Sequence, residues 1–230
     1  MNLDFISKTT LFHGCTEDEI QTMAKHLGFR TEAYRKKDIL LSEGSSTTDI
    51  GLVLSGNIQI VHHDFWGNQT ILSIATAGEV FAEAYACIPE EPLLIDVVAQ
   101  EDCEVLYINV PRLLHPCPVC GSQTRLIQNL LIIGAQKNLQ LSRRSLHTSA
   151  KTIRGRLLSY FSQQISAQGS NRIVLPFNRQ QLADYLNLDR SALSKELAKM
   201  RDDGLLEYKK NIITLHPRKI NLTYSQIMVK

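Results

Sequence analysis

No apolar run in this chain of 230 residues approaches the roughly 20 that a membrane-crossing helix needs, and its opening, Met1-Asn2-Leu3-Asp4, lacks the basic-then-apolar layout of a secretory signal. The expectation is a water-soluble protein kept in the cytoplasm. Cysteine is scarce and odd in number: Cys15, Cys87, Cys103, Cys117 and Cys120 do not make a secreted disulfide framework, which leaves reduced thiols, metal binding or redox chemistry. Internal repeats and low-complexity tracts are missing. No Ser/His/Asp spacing, phosphate loop or carboxylate pair suggests catalysis. The remaining enzymatic reading, a thiol-redox enzyme using Cys117 and Cys120, lacks a thioredoxin-like βαβ setting. What is present, 43% hydrophobic and 21% charged residues, is ordinary for a globular chain with room for two modest domains.

Net charge is also small, +2, but it hides a division. From Arg143 to Lys230 there are 16 basic residues against 6 acidic ones, a net +10; the preceding residues carry 9 and 17, a net −8. A basic segment attached to an acidic one suggests that the C-terminal part meets a polyanion, most often nucleic acid. A basic solvated surface is the plainer reading of the charge alone.

From Phe29 to about Tyr107 the sequence reads as short strands between turn residues. Asp49 to Leu54, then Ser55-Gly56-Asn57, then Ile58 to Val61 is a hairpin signature; Phe65-Trp66-Gly67-Asn68 marks a second turn, and Val97-Val98-Ala99 and Glu104 to Ile108 supply later strands. Such spacing suggests a sandwich or jelly-roll barrel. Ahead of it, Thr16 and Glu19 stand at capping-box positions for a short helix. From about Cys120 to Leu146 proline is absent and glycine appears only as Gly121 and Gly134, which reads as one long helix. Leu126, Leu130, Ile133 and Lys137 recur at steps of four, three and four, with Ile127, Leu131, Leu139 and Leu141 widening the apolar surface. One flank of so broad a stripe suits the barrel and another a parallel partner helix across a dimer axis; a helix that merely covers the barrel is the alternative.

Phe177 to Leu215 is the most informative stretch. Asn178 caps a helix with Gln181 at the reciprocal position, Leu182, Ala183 and Leu186 face inward, and Asn187 sits where a tight turn needs left-handed geometry. Asp189 caps a second helix, whose Leu193, Leu197 and Met200 must be buried, leaving Arg190, Ser191, Ser194, Lys195 and Lys199 outward. Two short helices around a tight turn make a helix-turn-helix, and the hairpin that follows, with Lys209 and Lys210 at its tip, makes a wing. A major groove admits one such helix. Arg190 and Lys195 suit guanine edges or phosphate, Ser191 and Ser194 suit either, the wing lysines suit the phosphates of double-stranded DNA, and Arg179, Gln180 and Lys199 are further DNA-binding candidates. A helical hairpin used for protein contact is the alternative.

The order of strand-rich domain, long helix and winged helix-turn-helix resembles the catabolite activator protein and FNR family of bacterial transcription regulators. The likeness rests on Leu54-Ser55-Gly56-Asn57-Ile58-Gln59-Ile60, on Ala77-Gly78-Glu79-Val80-Phe81-Ala82-Glu83, and above all on Gln180 to Ser194. It implies an α+β chain: an effector-sensing jelly-roll domain of the cyclic-nucleotide-binding type with its N-terminal helix at residues 1–111, a dimerisation helix and its lead-in at 112–147, and a winged helix-turn-helix at 148–230. It also implies a homodimer joined through Leu126, Leu130, Ile133 and Lys137, a palindromic DNA site and RNA polymerase as a further partner. The effector pocket would be lined by Gly78, Glu79, Phe81, Ala82, Glu83, Leu93 and Leu94.

The resemblance has gaps. Cyclic-nucleotide binders of this fold pair backbone amides with an Arg-Ser or Arg-Thr pair, because a buried phosphodiester needs a bidentate cation. Glu83, which would take the ribose hydroxyl, is present. The cation is not: its positions fall on Leu93 and Leu94, and no arginine lies between Val80 and Arg112. Cys117-Pro118-Val119-Cys120 offers another kind of effector chemistry, since C-x-x-C suits zinc, an iron-sulfur cluster or a reversible disulfide, with Cys103 at a position resembling a cluster ligand of the oxygen-sensing branch. Cys15 stands alone ahead of the barrel, where that branch carries several cysteines, so a cluster set of that kind is not expected. His115-Pro116-Cys117-Pro118 could ligate haem iron through its imidazole or thiol, and a small molecule near Glu83 is a further option.

Overall fold

The computed structural model describes residues 2–64, 66, 69–88 and 90–216. It divides into two compact units, residues 1–137 and 138–230. The division falls inside the long helix, so the lead-in and first half of that helix belong with the strand-rich unit, where the sequence suggested a separate segment at 112–147.

The first unit opens with α1 (Leu3–Ser7) and α2 (Glu17–Leu27), continues through strands β1 (Arg30–Tyr34), β2 (Ile39–Leu41), β3 (Asp49–Ser55), β4 (Asn57–His63), β5 (Gln69–Thr76) and β6 (Val80–Phe81), the short α3 (Glu83–Ala86), β7 (Asp96–Ala99) and β8 (Cys103–Asn109), and ends with α4 (Val110–Leu114) and the first half of α5 (Gln123–Thr148). The strands form two four-stranded sheets, β1-β8-β3-β6 and β2-β7-β4-β5, the jelly-roll expected. Strand alternation fills two cores at once. On β8, Cys103, Val105 and Tyr107 point between the sheets with Val53, Phe81, Leu93 and Val97, while Leu106 and Ile108 point outward. That outer face, with Ile50 and Leu52, is covered by Ile6, Phe12, Ile20 and Met23 of the N-terminal segment and by Leu126, Leu130 and Ile133 of α5. The turn at Gly56 (φ 73°) must be glycine, since a Cβ there would stand 2.4 Å from the Asp102 carbonyl. Thr16 and Glu19 form both arms of the expected capping box. The second turn lies largely outside the described residues, as does everything after His216.

The second unit takes the end of α5, then α6 (Ile153–Gln168), β9 (Arg172–Val174), α7 (Arg179–Leu186), α8 (Arg190–Asp202), β10 (Leu206–Lys209) and β11 (Ile212–Leu215). Leu157, Phe161, Leu182, Leu186, Leu193, Leu197, Met200 and Ile213 share one core. The wing is a three-stranded sheet in the order β10-β11-β9; β9, with its alternation of exposed Arg172 and Val174 around buried Ile173, adds a strand to the expected hairpin. No helix of the described residues is long and apolar enough to cross a membrane.

Candidate nucleic-acid interface and effector site

Local sequence builds the two-helix motif as expected. The Asn178 side chain accepts from the Gln181 amide at 2.9 Å, and the Gln181 side chain accepts from the Asn178 amide at 2.9 Å. Asn187 ends α7 at φ 52°, a left-handed residue that turns the chain within two positions of the next cap. Asp189 then accepts from the Ala192 amide at 2.8 Å. Its carboxyl is held below the usual range, first by the Ser191 hydroxyl and then by that amide. Leu193, Leu197 and Met200 are buried, and Arg190, Ser191, Ser194, Lys195 and Lys199 lie on the opposite, exposed side. Among the described residues, Arg190, Lys195 and Lys199 form no ion pair within the chain, which leaves three exposed cations on one helix. The two serines are less free: Ser191 donates to Asp189, and Ser194 donates to the Arg190 carbonyl at 2.9 Å. Their hydroxyl oxygens remain acceptors for an incoming donor.

Part of the basic excess is structural. Arg144 donates to the Asp184 and Tyr185 carbonyls at 3.0 Å each, and Arg156 to the Leu186 and Asn187 carbonyls at 3.1 and 2.9 Å, so two guanidiniums satisfy the open carbonyls at the end of α7. Arg154 bridges Glu196 at 2.6 Å and Asp203 at 2.8 Å, tying α6 to both ends of the second half of α8. Nothing in the local pattern beyond the charge itself announces these roles. Arg179, expected at the DNA, is half-buried: its guanidinium stacks 5.1 Å over the Tyr208 ring and donates to the Lys210 carbonyl at 3.1 Å. Burial lowers its affinity for a proton. It positions the wing. Gln180, also expected there, is exposed and donates to Asp184 at 2.8 Å. Lys209 pairs across from Ile212, and Lys210 takes φ 55° in the two-residue turn, so both ammoniums stand at the tip.

The expected effector residues gather at one end of β6 and α3, with a rearranged use of charge. Gly78 (φ 90°) turns the chain, and Glu79 accepts from the Thr76 amide at 2.8 Å. Phe81 is buried beneath Gly51, and Ala82 adopts φ 60° ahead of α3. Glu83, expected to meet a ligand hydroxyl, is bound by Lys137 at 2.8 Å; the same ammonium donates to the Val80 carbonyl at 2.7 Å. Leu93 is 1% exposed and belongs to the inter-sheet core, whereas Leu94 is 62% exposed. A phosphodiester there would meet hydrocarbon on the inner side.

Two corrections concern the long helix. Leu126, Leu130 and Ile133 are buried against the chain's own barrel, and Lys137 is engaged with Glu83 and Val80, so this stripe is not a dimer seam. The other flank is the free one: Leu131 (72% exposed), Ile132, Leu139 and Leu146. The cysteines do not assemble as a three-membered set either. Cys103 lies in the inter-sheet core and Cys117 and Cys120 in the core beneath the helices, and no third His, Cys, Asp or Glu joins the pair among the described residues. Two thiols alone do not complete a tetrahedral zinc site or an iron-sulfur cluster. The pair itself is close-set: the Cys120 amide donates to the Cys117 carbonyl at 3.1 Å, and burial followed by a hydrogen bond with Cys117 pushes the Cys120 thiol up to about 11. Gln123 pins this loop by accepting from the Cys117 amide and donating to the Leu113 and His115 carbonyls.

Residues 31–115 match the family model described as the cyclic nucleotide-binding domain, and residues 155–221 match the Crp-like helix-turn-helix domain. Among solved structures, CprK complexed with OCPA is similar at a TM-score of 0.62 with 16% identity, over 84% of this chain and 90% of that one. The c-di-GMP-responsive global regulator CLP of Xanthomonas campestris is similar at 0.55 with 17% identity, over 87% and 99%. Thermus thermophilus catabolite activator protein is similar at 0.50 with 18% identity, over 90% and 94%. At such identities the likeness is one of fold. No curated protein sequence matches the chain significantly.

Proposed function

Since the chain belongs to the Crp/Fnr family of DNA-binding transcription regulators, with an effector-binding domain ahead of its reading head, we propose that it acts in the cytoplasm as a homodimer on a palindromic DNA site, under an effector other than a cyclic nucleotide. The observation that carries the DNA reading is α8, which follows a left-handed Asn187 turn and carries Arg190, Lys195 and Lys199 exposed around its outward half, above a buried row of Leu193, Leu197 and Met200. The wing lysines add phosphate neutralisation. RNA polymerase as the second macromolecular partner follows from the family alone.

Dimerisation is supported by the free flank of α5. Leu131, Ala135, Leu139, Ser142 and Leu146 recur at steps of four, four, three and four, a narrow seam on the side of the helix opposite Leu126 and Ile133. Two copies joined along this seam would present two reading heads, calling for half-sites about one helical turn apart, roughly 34–36 Å. Selection of bound duplexes from a random library tests the whole reading. An enriched inverted repeat is expected, with affinity falling steeply as salt rises; recovery of no preferred sequence would refute it.

The effector reading is supported by what surrounds Glu83. CLP is described as responsive to c-di-GMP and CprK as complexed with OCPA, so proteins of this fold take different ligands. Here the cation that a phosphodiester requires is replaced by Leu93 and Leu94, and Glu83 already has its partner in Lys137. A second reading, thiol control, is favoured by the closeness of Cys117 and Cys120 at the entrance to α5, where a cellular oxidant would take up two electrons as the two thiol protons leave, forming the S–S bond and fixing the loop. DNA affinity measured with the protein reduced and oxidised tests it, since equal affinities would rule thiol control out.

A further inference from the structure

Apart from the residues around Glu83, the strand-rich unit gathers three potential metal ligands that neither the family match nor the reading above uses. Glu43 follows β2, His63 ends β4 and Asp96 begins β7. These strands are neighbours in one sheet, in the order β2-β7-β4, so residues far apart in sequence come to one end of it. Val61 pairs with Asp96, which puts His63 two residues further along β4 and on the same face as Asp96. One ligand atom from each of Glu43, His63 and Asp96 lies within 4.8 Å of the other two. The imidazole Nδ1 stands 3.0 Å from an Asp96 carboxylate oxygen, and the other Asp96 oxygen accepts from the Glu43 amide at 2.7 Å.

We propose that Glu43, His63 and Asp96 form a binding site for a divalent transition-metal cation of the zinc class. One nitrogen and two oxygens are a donor set that suits zinc, cobalt or iron(II), with bonds of about 2.0–2.2 Å, and the imidazole makes it a poor site for magnesium, which takes oxygen ligands. Bonds of that length around a tetrahedral ion set its donors roughly 3.3 Å apart, so the three side chains need only small rotations to close on a common centre. Two carboxylates balance the charge of the ion. Three protein ligands leave a coordination position for water or a further small ligand.

The backbone around the site is already fixed for the purpose. The Gly44 amide donates to the Leu93 carbonyl and the Leu93 amide to the Ser45 carbonyl, each at 2.8 Å, so the segment carrying Glu43 and the one carrying Asp96 are laced together before any ion arrives. His62 contacts the Leu94 carbonyl at 3.1 Å from the same strand end. A cation here would lock the segment of Leu93 and Leu94, which replaces the phosphate-binding pair of cyclic-nucleotide binders. That consequence rests on the reading of this unit as an effector domain; the site itself does not.

Cobalt(II) titration of the full-length, chelator-treated protein tests the site, with binding followed by calorimetry and by visible absorption. One Co2+ per chain is expected, with ligand-field bands but no thiolate charge-transfer band, and magnesium in excess should not displace it. Glu43→Gln, on an exposed side chain that the fold does not need, should weaken binding by about tenfold or more, as should His63→Gln; Cys117→Ser should leave it unchanged. A thiolate charge-transfer band, or affinity unaltered in both Glu43→Gln and His63→Gln, would overturn the proposal by moving the ion to the cysteines or elsewhere. DNA binding is measured on the same samples. Loss of sequence-specific DNA binding alongside normal Co2+ uptake would count against the regulator reading and still support the site.

Discussion

The Lys137 ammonium stands 2.8 Å from a Glu83 carboxylate oxygen and 2.7 Å from the Val80 carbonyl oxygen, joining the middle of α5 to the end of β6 and the start of α3. Glu83 is the less exposed partner, its side chain at 15% against 42% for Lys137. Removing the cation leaves a mostly buried carboxylate without its counterion, whereas removing the charge of Glu83 leaves an ammonium that can turn to water. Lys137→Met is therefore expected to cost more than Glu83→Gln, about 1–2 kcal/mol against less than about 1, and the double variant should recover part of the loss. Thermal denaturation of the four proteins checks this. Equal and additive losses would mean that the two groups are not coupled.

On α8, Arg190 is the outward cation closest to the helix N-terminus, where a recognition helix meets base edges. Arg190→Ala should lower affinity for the selected site by about 1–3 kcal/mol and relax the preference at one base position of each half-site. Lys199→Ala, nearer the other end of α8, should weaken all sequences alike. Binding to a panel of single-base variants distinguishes the two, and an unchanged preference in Arg190→Ala would remove it from base reading.

The wing separates charge from geometry. Lys210 sits at φ 55°, a strain that alanine would keep and glycine would relieve, so Lys210→Gly removes the charge without burdening the turn. The glycine variant should reduce the slope of log affinity against log salt by about 1. Arg179→Lys keeps a charge but loses the planar stack on Tyr208 and the reach to the Lys210 carbonyl. It is expected to weaken DNA binding as the wing loosens, with unchanged base preference. A salt slope reduced in the neutral variant Arg179→Met would instead make Arg179 a direct phosphate contact.

For the dimer, Leu139→Asp places a charge in the proposed seam, and Leu131→Asp does so two turns earlier. Each should shift the protein from dimer to monomer in sedimentation at micromolar concentration and weaken DNA binding by far more than the wing variants. The wild-type protein sedimenting as a monomer would end the seam assignment outright.

Alkaline behaviour follows from Cys120. Its thiol is pushed from 9.0 up to about 11 by burial and by Cys117, so the native state holds this proton more tightly than the unfolded chain does. The resulting stability is complete below pH 9 and disappears as pH rises through 11. Tyr34, pushed up to about 12 by burial, acts in the same direction at still higher pH. Melting temperatures between pH 8 and 11 should fall, and the fall should be shallower in Cys120→Ala, whatever the absolute stability of that variant. Parallel curves would exclude Cys120 as a source of the slope.

Local signals carried most of the reading head. Capping residues and the left-handed asparagine act within four positions of themselves, so Asn178, Gln181, Asn187 and Asp189 could be read directly and the outward face of α8 followed from the spacing of Leu193, Leu197 and Met200. The intrachain partners of Arg179 are illegible for the same reason in reverse. Its stack on Tyr208, 29 positions away along the chain, has no periodicity or cap to announce it, and neither have the arginines that close α7. Exposed β9 was missed because three residues with one buried isoleucine make too short a pattern.

What the sequence by itself determined was the division into an acidic strand-rich part and a basic helical part, the long helix between them, and the chemistry of the reading helix; each is set by composition, period or cap within a short window. Only the tertiary structure decided which flank of the long helix faces the barrel, that Glu83 belongs to Lys137, and that Glu43, His63 and Asp96 meet at one sheet end. Two flanks of an amphipathic helix have the same period, and a pair of opposite charges 54 positions apart has none. Packing of whole elements selects between such alternatives, and its energy is not written in any one segment of the chain.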